Sequence, residues 1–405
     1  MKKLTINSLI WDIFVFYLFT IIAFGDRIEY FRYSNITFVV LIGFMAIYVL
    51  KCSLVVPIDL FMFLPFLVFS FLSIAWSYLP DSTLQRSITL LRLSVLLVVM
   101  AFYLLKSKQT ERFIYGIAVA GLIILLYVFG FYGFSGLRQM IDYGMRVGGE
   151  FVNSNTLAIY LSFSAVIFFY LFLDKRKWYY ITLTLVLVFV IAATGSKKGI
   201  LDLAVGFVMV TGFNQGASKG AKRLFKMVLG ITVGTVLLYF LWESSLFDTV
   251  RDRYEVMFRF LSGTGSRIDY STRERQIMLA AGWQQFKKTP ILGIGIGASG
   301  YLTSIALGSD TYLHNEYVEL LSTGGILGFL LQFVPVILIL MRNWKYRTSS
   351  KASQMCSVLL VIYLVNGIAA VQYFSKLTYV IFAVSIACYL ENRDNEQQIR
   401  TNKYI

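Results

Sequence analysis

Apolar residues run for about twenty positions at a time, broken by short polar stretches, and the pattern recurs from one end of the chain to the other. Measured against the length needed to cross a bilayer, it predicts spans at about 9–25, 35–50, 57–75, 88–105, 113–134, 155–173, 178–194, 198–213, 225–242, 316–341, 355–371 and 376–390. Strands of a membrane barrel would instead alternate apolar and polar positions over about ten residues. The expected fold is therefore an all-α polytopic membrane protein of about twelve transmembrane helices. A large extracytoplasmic loop is expected between the ninth and tenth spans. The corresponding division is 1–242 for the first nine spans, 243–315 for the loop, and 316–405 for the remaining spans and a short tail. The first apolar run does not end in a small-residue cleavage site and reads as an uncleaved span.

Composition agrees. The chain is 58% hydrophobic and 15% charged, an excess of apolar residues that no soluble protein of this length needs. The net charge of +15 could suggest a nucleic-acid partner, but its distribution does not. Cations cluster in every second connection: Lys2 and Lys3, Lys51, Lys106 with Lys108 and Arg112, Lys175 to Lys177, Lys219 with Lys222 and Arg223, Arg342 to Lys351, and Arg393 to Lys403. That is the positive-inside pattern, with both termini cytoplasmic. Membrane topology explains the charge, membrane lipid is the surrounding partner, and no nucleic acid is implied. The three cysteines, Cys52, Cys356 and Cys388, lie far apart without metal spacing and read as packing residues.

Three predicted outer connections break the rule by being basic. One, at 135–154, holds Arg138 and Arg146 ahead of Gly148, Gly149, Asn153 and Asn155. Another is the short turn Ser196-Lys197-Lys198-Gly199, which opens the eighth expected span. The longest, at 243–315, carries Arg251, Arg253, Arg259, Arg267, Arg273, Arg275, Lys287, Lys288 and finally His314. Outer-face arginines suit a phosphate ligand, because a guanidinium forks onto two oxygens and stays charged. For Arg251, Arg253 and Arg259 the simpler reading is preferred. The stretch 246–261 has helical apolar spacing and reads as an amphipathic helix lying on the membrane. Lys197 and Lys198 at a helix start could join backbone N–H groups in holding phosphate, or could reach to the outer interface.

His314 is the only histidine and almost the only group that titrates near neutral pH. It is the candidate general base. Gly293-Ile-Gly295-Ile-Gly297 is not a nucleotide loop, since it follows Pro290 with no preceding strand and no Walker lysine. A turn with close backbone approach is expected there, after a helix over 275–288 with Arg275 at its amino end. Arg92, Asp12, Asp59 and Asp202 fall within spans, as paired structural charges or as part of a cavity. No outer carboxylate cluster suits magnesium or manganese and one histidine cannot build a zinc centre, so no cofactor is expected.

Taken together, Arg275, Pro290-Ile-Leu-Gly293-Ile-Gly295, His314-Asn315 and Gly324-Gly325-Ile-Leu-Gly328 resemble the signature region of the O-antigen ligase and polymerase family. Upstream, Arg146 with Gly149, Asn153 and Asn155 resembles that family's Arg…Gly…Asn-x-Asn stretch. Gly195-Ser196-Lys197 resembles the Ser-Arg that opens a span. The chain departs from the pattern in having lysine for that arginine, and Thr323 where many relatives carry an acid. Arg273 competes with Arg275, and spacing to Pro290 favours Arg275.

The resemblance implies a metal-independent, inverting membrane glycosyltransferase using an undecaprenyl-pyrophosphate-linked oligosaccharide in the outer leaflet. It implies catalytic roles for His314 and Arg275. Arg146, Lys197, Lys198, Arg273, Asn153, Asn155 and Asn315 would bind pyrophosphate or glycan. The site would lie on the outer face of a bacterial cytoplasmic (inner) membrane. Polymerisation of repeat units into capsule, exopolysaccharide or O-antigen is the leading expectation, with a flippase and a chain-length regulator as further partners. Ligation of finished glycan to lipid A core or another acceptor is the alternative. A lipid-linked oligosaccharide flippase is the alternative of another class. Its usual sign, two similar halves around a central cytoplasmic loop, is missing.

Overall fold

A computed structural model describes residues 5–24, 31–52, 55–143, 145–213 and 270–402. The expected ninth span, the amphipathic helix at 246–261 and the arginines from Arg251 to Arg267 lie outside the described residues. Among the described residues the structure is all-helical. Seven helical stretches are long and apolar enough to cross a membrane: Ile6–Ala23, Arg32–Leu50, Ile58–Trp76, Pro80–Ser107, Thr110–Met140, Ser154–Lys175 and Glu316–Lys345. Trp178–Ala193 and Lys351–Asn366 are apolar but shorter.

The chain divides into two compact units, Met1–Leu41 with Glu111–Ile268, and Ile42–Thr110 with Asp269–Ile405. The boundary at Leu41 falls inside α2 (Phe31–Leu50). In the first unit are α1 (Ile6–Ala23), α5 (Thr110–Asp142), α6 (Ser154–Lys175), α7 (Trp178–Ala193) and α8 (Lys197–Phe213). Here α6 is central and packs on both α7 and α8. Small residues allow the approach: Ser164 of α6 meets Gly121 of α5, and Ala158 meets Gly199 of α8. Asp202 is fully buried and accepts a hydrogen bond from Ser162 Oγ at 3.0 Å across the contact of α6 with α8.

In the second unit are α3 (Leu64–Leu72), α4 (Pro80–Ser107), α9 (Tyr270–Lys288), α10 (Ser299–Leu307), α11 (Glu316–Lys345), α12 (Lys351–Asn366) and α13 (Lys376–Asn402). Helix α13 packs on α4, α11 and α12, and α9 packs on α10 and α11. Helix ends follow their sequences. Pro80 and Asp81 open α4, and Lys108 closes it in the left-handed conformation. Glu316 and Glu319 open α11 while Arg342 and Lys345 end it, matching the helix dipole at both ends. Of the intramembrane charges, Asp59 is a paired one: Arg342 bonds it, and Arg393 Nη1 lies 3.2 Å away. Asp12 and Arg92 are exposed.

Helix α11 breaks at Gly325 (φ 62°, ψ −168°), and the Pro290–Gly297 segment runs into the break. Gly295 N donates to Thr323 O at 2.8 Å, Ile294 N to Ser322 O at 3.3 Å, and Ile326 N to Pro290 O at 2.8 Å. Carbonyls and N–H groups freed by the break are thus satisfied by the glycine-rich turn. The fit leaves no room for a side chain: a Cβ on Gly293 would stand 2.3 Å from the Thr323 carbonyl carbon, and one on Gly325 2.2 Å from Ile291 O. The close backbone approach expected of this turn is what the structure shows.

Candidate active site

The residues singled out from the sequence form two clusters, each within its own unit. In the first unit, Arg146 follows α5 in an irregular segment anchored by Val147 N to Ala193 O at 3.3 Å. Its Nε donates to Thr194 O at 2.8 Å and its Nη2 to Asn155 Oδ1 at 2.9 Å. One planar fork therefore ties the end of α7 to the start of α6. Asn153 caps α6 by accepting from Asn155 N at 2.9 Å. Ser196 stands just ahead of Lys197 and accepts from Gly199 N at 3.5 Å. Arg146, Asn153, Asn155 and the Ser196-Lys197 turn, distant in sequence, are brought together at the starts of α6 and α8.

Lys197 and Lys198 occupy the first turn of α8 and are half-buried. A cation there opposes the positive end of the helix dipole, which usually attracts acids. Arg146→Lys is expected to lose one of the two hydrogen bonds, since an ammonium cannot fork to both Thr194 and Asn155. Stability of the purified chain should fall by about 1–3 kcal/mol, read as a lower thermal midpoint in detergent. An unchanged midpoint would remove the tethering role.

In the second unit, His314 adopts φ 57°, a left-handed conformation that a non-glycine residue enters at a cost. Both flanks hold it there. Leu313 is buried and donates its N–H to Glu319 Oε2 at 2.9 Å, while Glu319 Oε1 accepts from Ser299 Oγ at 2.7 Å. Asn315 caps α11 by accepting from Val318 N at 3.0 Å, and its Nδ2 donates to Ile368 O at 2.9 Å. Glu316, also fully buried, accepts from Gln372 N at 2.6 Å and from the Tyr363 hydroxyl. The half-buried imidazole lies beside Tyr312, with ring centroids 4.3 Å apart. The loop is thus fixed to three elements, with the imidazole half-buried among them.

Helix α9 presents Met278 and Gly282 to this loop. A Cβ on Gly282 would meet Leu313 Cδ1 at 2.6 Å and Val318 Cγ1 at 2.7 Å. Arg275 lies on the same helical face, about 10 Å toward the amino end, whereas Arg273 is turned about 200° away from it. Arg275 is half-buried and Arg273 exposed. Arg275 is thus the one on the face that packs against Leu313 and Val318.

Arg86 is the residue that the sequence reading passed over. It sits in the second turn of α4, where Gly297 runs against its side chain: a Cβ on Gly297 would lie 2.8 Å from Arg86 Cβ. Its guanidinium carbon lies 3.4 Å from the centroid of the Phe374 ring. Arg86 interacts through its charge with Glu319, the acid that holds Leu313. Burial pushes the neighbouring Tyr373 phenol above its ordinary range, with Arg86 pulling the other way. A signal was available: Arg86 is a cation in the connection at about 76–87, which the alternation of basic loops assigns to the outer side.

Comparison with curated proteins returns no significant match. Residues 182–333 match the family model described as O-antigen ligase. The matched stretch contains Lys197, Arg275 and His314, with Arg146 and Arg86 upstream of it. With the apolar helices, the match indicates a multi-pass membrane protein that is similar over residues 182–333 to the O-antigen ligase family.

Proposed function

We propose that the chain polymerises undecaprenyl-pyrophosphate-linked oligosaccharide repeat units into surface polysaccharide, on the outer face of the cytoplasmic membrane. The observation that carries this is His314, held left-handed at the head of α11 by the Leu313–Glu319 bond and the Asn315 cap. An acceptor hydroxyl attacks the anomeric carbon of the donor sugar and its proton passes to His314. The bond from that carbon to the pyrophosphate oxygen breaks, and the lipid pyrophosphate departs with the electron pair, inverting the centre. Arg275 stabilises the developing charge, a role suited to a positioned cation in a water-poor site. As the family resemblance implies, Arg273 of the second unit is assigned to the pyrophosphate, and Arg146, Lys197 and Lys198 of the first unit are assigned to anion binding within that unit. Asn153, Asn155 and Asn315 have their side-chain bonds engaged in caps and in holding Arg146, so their part is positioning.

Ligation of finished glycan to a lipid A core or another acceptor is the second reading, favoured by the description of the matching family model. The size of surface and lipid-linked glycan in a deletion strain separates the two. Single repeat units restored to long chains by the wild-type gene establish polymerisation. Long chains stranded on the lipid carrier establish ligation. Unaltered glycan of both kinds would sink the assignment.

A further inference from the structure

Among the described residues, Arg86 of the second unit is not bonded to a carboxylate oxygen. Arg86 Nε is buried without a hydrogen-bond partner among the described residues, and so is the Tyr373 hydroxyl. The nearby acids are satisfied by neutral donors: Glu319 by Ser299 Oγ and Leu313 N, Glu316 by the Tyr363 hydroxyl and Gln372 N. Their charge offsets that of Arg86 at a distance, but their oxygens are engaged elsewhere. Further along α4, Arg92 acts through its charge on Lys376 at the start of α13. The guanidinium is also held in place, by Phe374 on one face and by the Gly297 backbone against its stem. A cation fixed this way has lost little further freedom to lose on binding, which favours tight capture of a planar array of oxygens.

We propose that Arg86 is a diphosphate-binding residue of the second unit, taking oxygens of a polyprenyl diphosphate beside the His314 loop. This rests on the reading of the chain as a glycosyltransferase with a polyprenyl-pyrophosphate donor. Phosphate oxygens could also come from a bilayer headgroup, and the test separates the two sources. Farnesyl pyrophosphate, farnesyl monophosphate and short-chain phosphatidylglycerol are titrated into the purified full chain in detergent, for wild type, Arg86→Ala, Arg86→Lys and, as a control, Arg347→Ala. The expected result is a Kd for farnesyl pyrophosphate raised about ten- to hundredfold in Arg86→Ala. A smaller rise is expected in Arg86→Lys, which keeps the charge over Phe374 but loses the fork, and none in Arg347→Ala.

Should Arg86→Ala fail to fold, Arg86→Lys carries the test. Wild-type affinity in the folded Arg86 variants overturns the inference, and so does wild-type binding of phosphatidylglycerol as tight as that of farnesyl pyrophosphate. A wild type that binds the pyrophosphate through Arg86 but joins no glycan units would defeat the assigned reaction and leave this site standing. A wild type that builds polymer, with Arg86 variants that bind normally, would do the reverse.

Discussion

His314→Ala is expected to lower glycan transfer by about 10²- to 10⁴-fold, the usual worth of a positioned acid–base group, while the protein still reaches the membrane. His314→Asn should do the same with less structural disturbance, because asparagine enters the left-handed region more readily than most residues. The pairing matters, since φ at this position is 57° and a loss seen only in alanine could reflect a shifted loop. The measurement is polymer length on a gel, from membranes carrying equal amounts of each variant. More than a tenth of wild-type transfer in His314→Asn would remove the base assignment.

Gly293→Ala is expected to be worse for the fold than any substitution at the surface. A Cβ there would stand 2.3 Å from the Thr323 carbonyl carbon, 2.4 Å from its oxygen and 2.5 Å from Gly324 N. All three are backbone atoms, so no side-chain rotation relieves the collision. The hydrogen bonds that dock the turn into the broken α11 would have to part. A loss above about 4 kcal/mol follows, in the exceptional range for a point substitution. Gly308→Ala supplies the comparison. Its φ is 70°, close to the 66° of Gly293, yet nothing lies within 4 Å of the added carbon. It should cost only the left-handed penalty of about 1–2 kcal/mol. Thermal unfolding of both variants in detergent separates backbone conformation from collision. Equal midpoints would show that the turn can withdraw from α11.

The helices were legible because crossing a bilayer demands a long apolar run, and such runs are local. Expected spans at 155–173 and 178–194 coincide with α6 and α7 within a few residues. The glycine-rich segment was legible as a close-packed turn, since three glycines in alternation have little other use after Pro290. Gly324-Gly325 marked a small-residue turn as well, but that the two glycine turns dock on each other was not legible, because they lie about thirty residues apart. Asn315 stood out as a site residue beside His314, but its work as a cap that also reaches Ile368 O joins positions 53 residues apart. Arg86 escaped notice because it lies between Pro80 and the expected start of a span, where a single cation reads as an interface residue.

By itself, the order of residues determined that the chain is helical and apolar enough for a membrane, and it singled out one histidine and a set of cations as candidates for its chemistry. Those follow from hydropathy, charge and the scarcity of titratable groups, all of which are properties of composition and local spacing. The tertiary structure alone decided which cations keep company. Arg146 met Asn155 and the end of α7, Arg275 shared a face with Met278 and Gly282, and Arg86 came to rest on Phe374 beside Gly297. Contacts of that kind join residues up to nearly three hundred positions apart. They depend on how helices pack against one another, which no short stretch of sequence records.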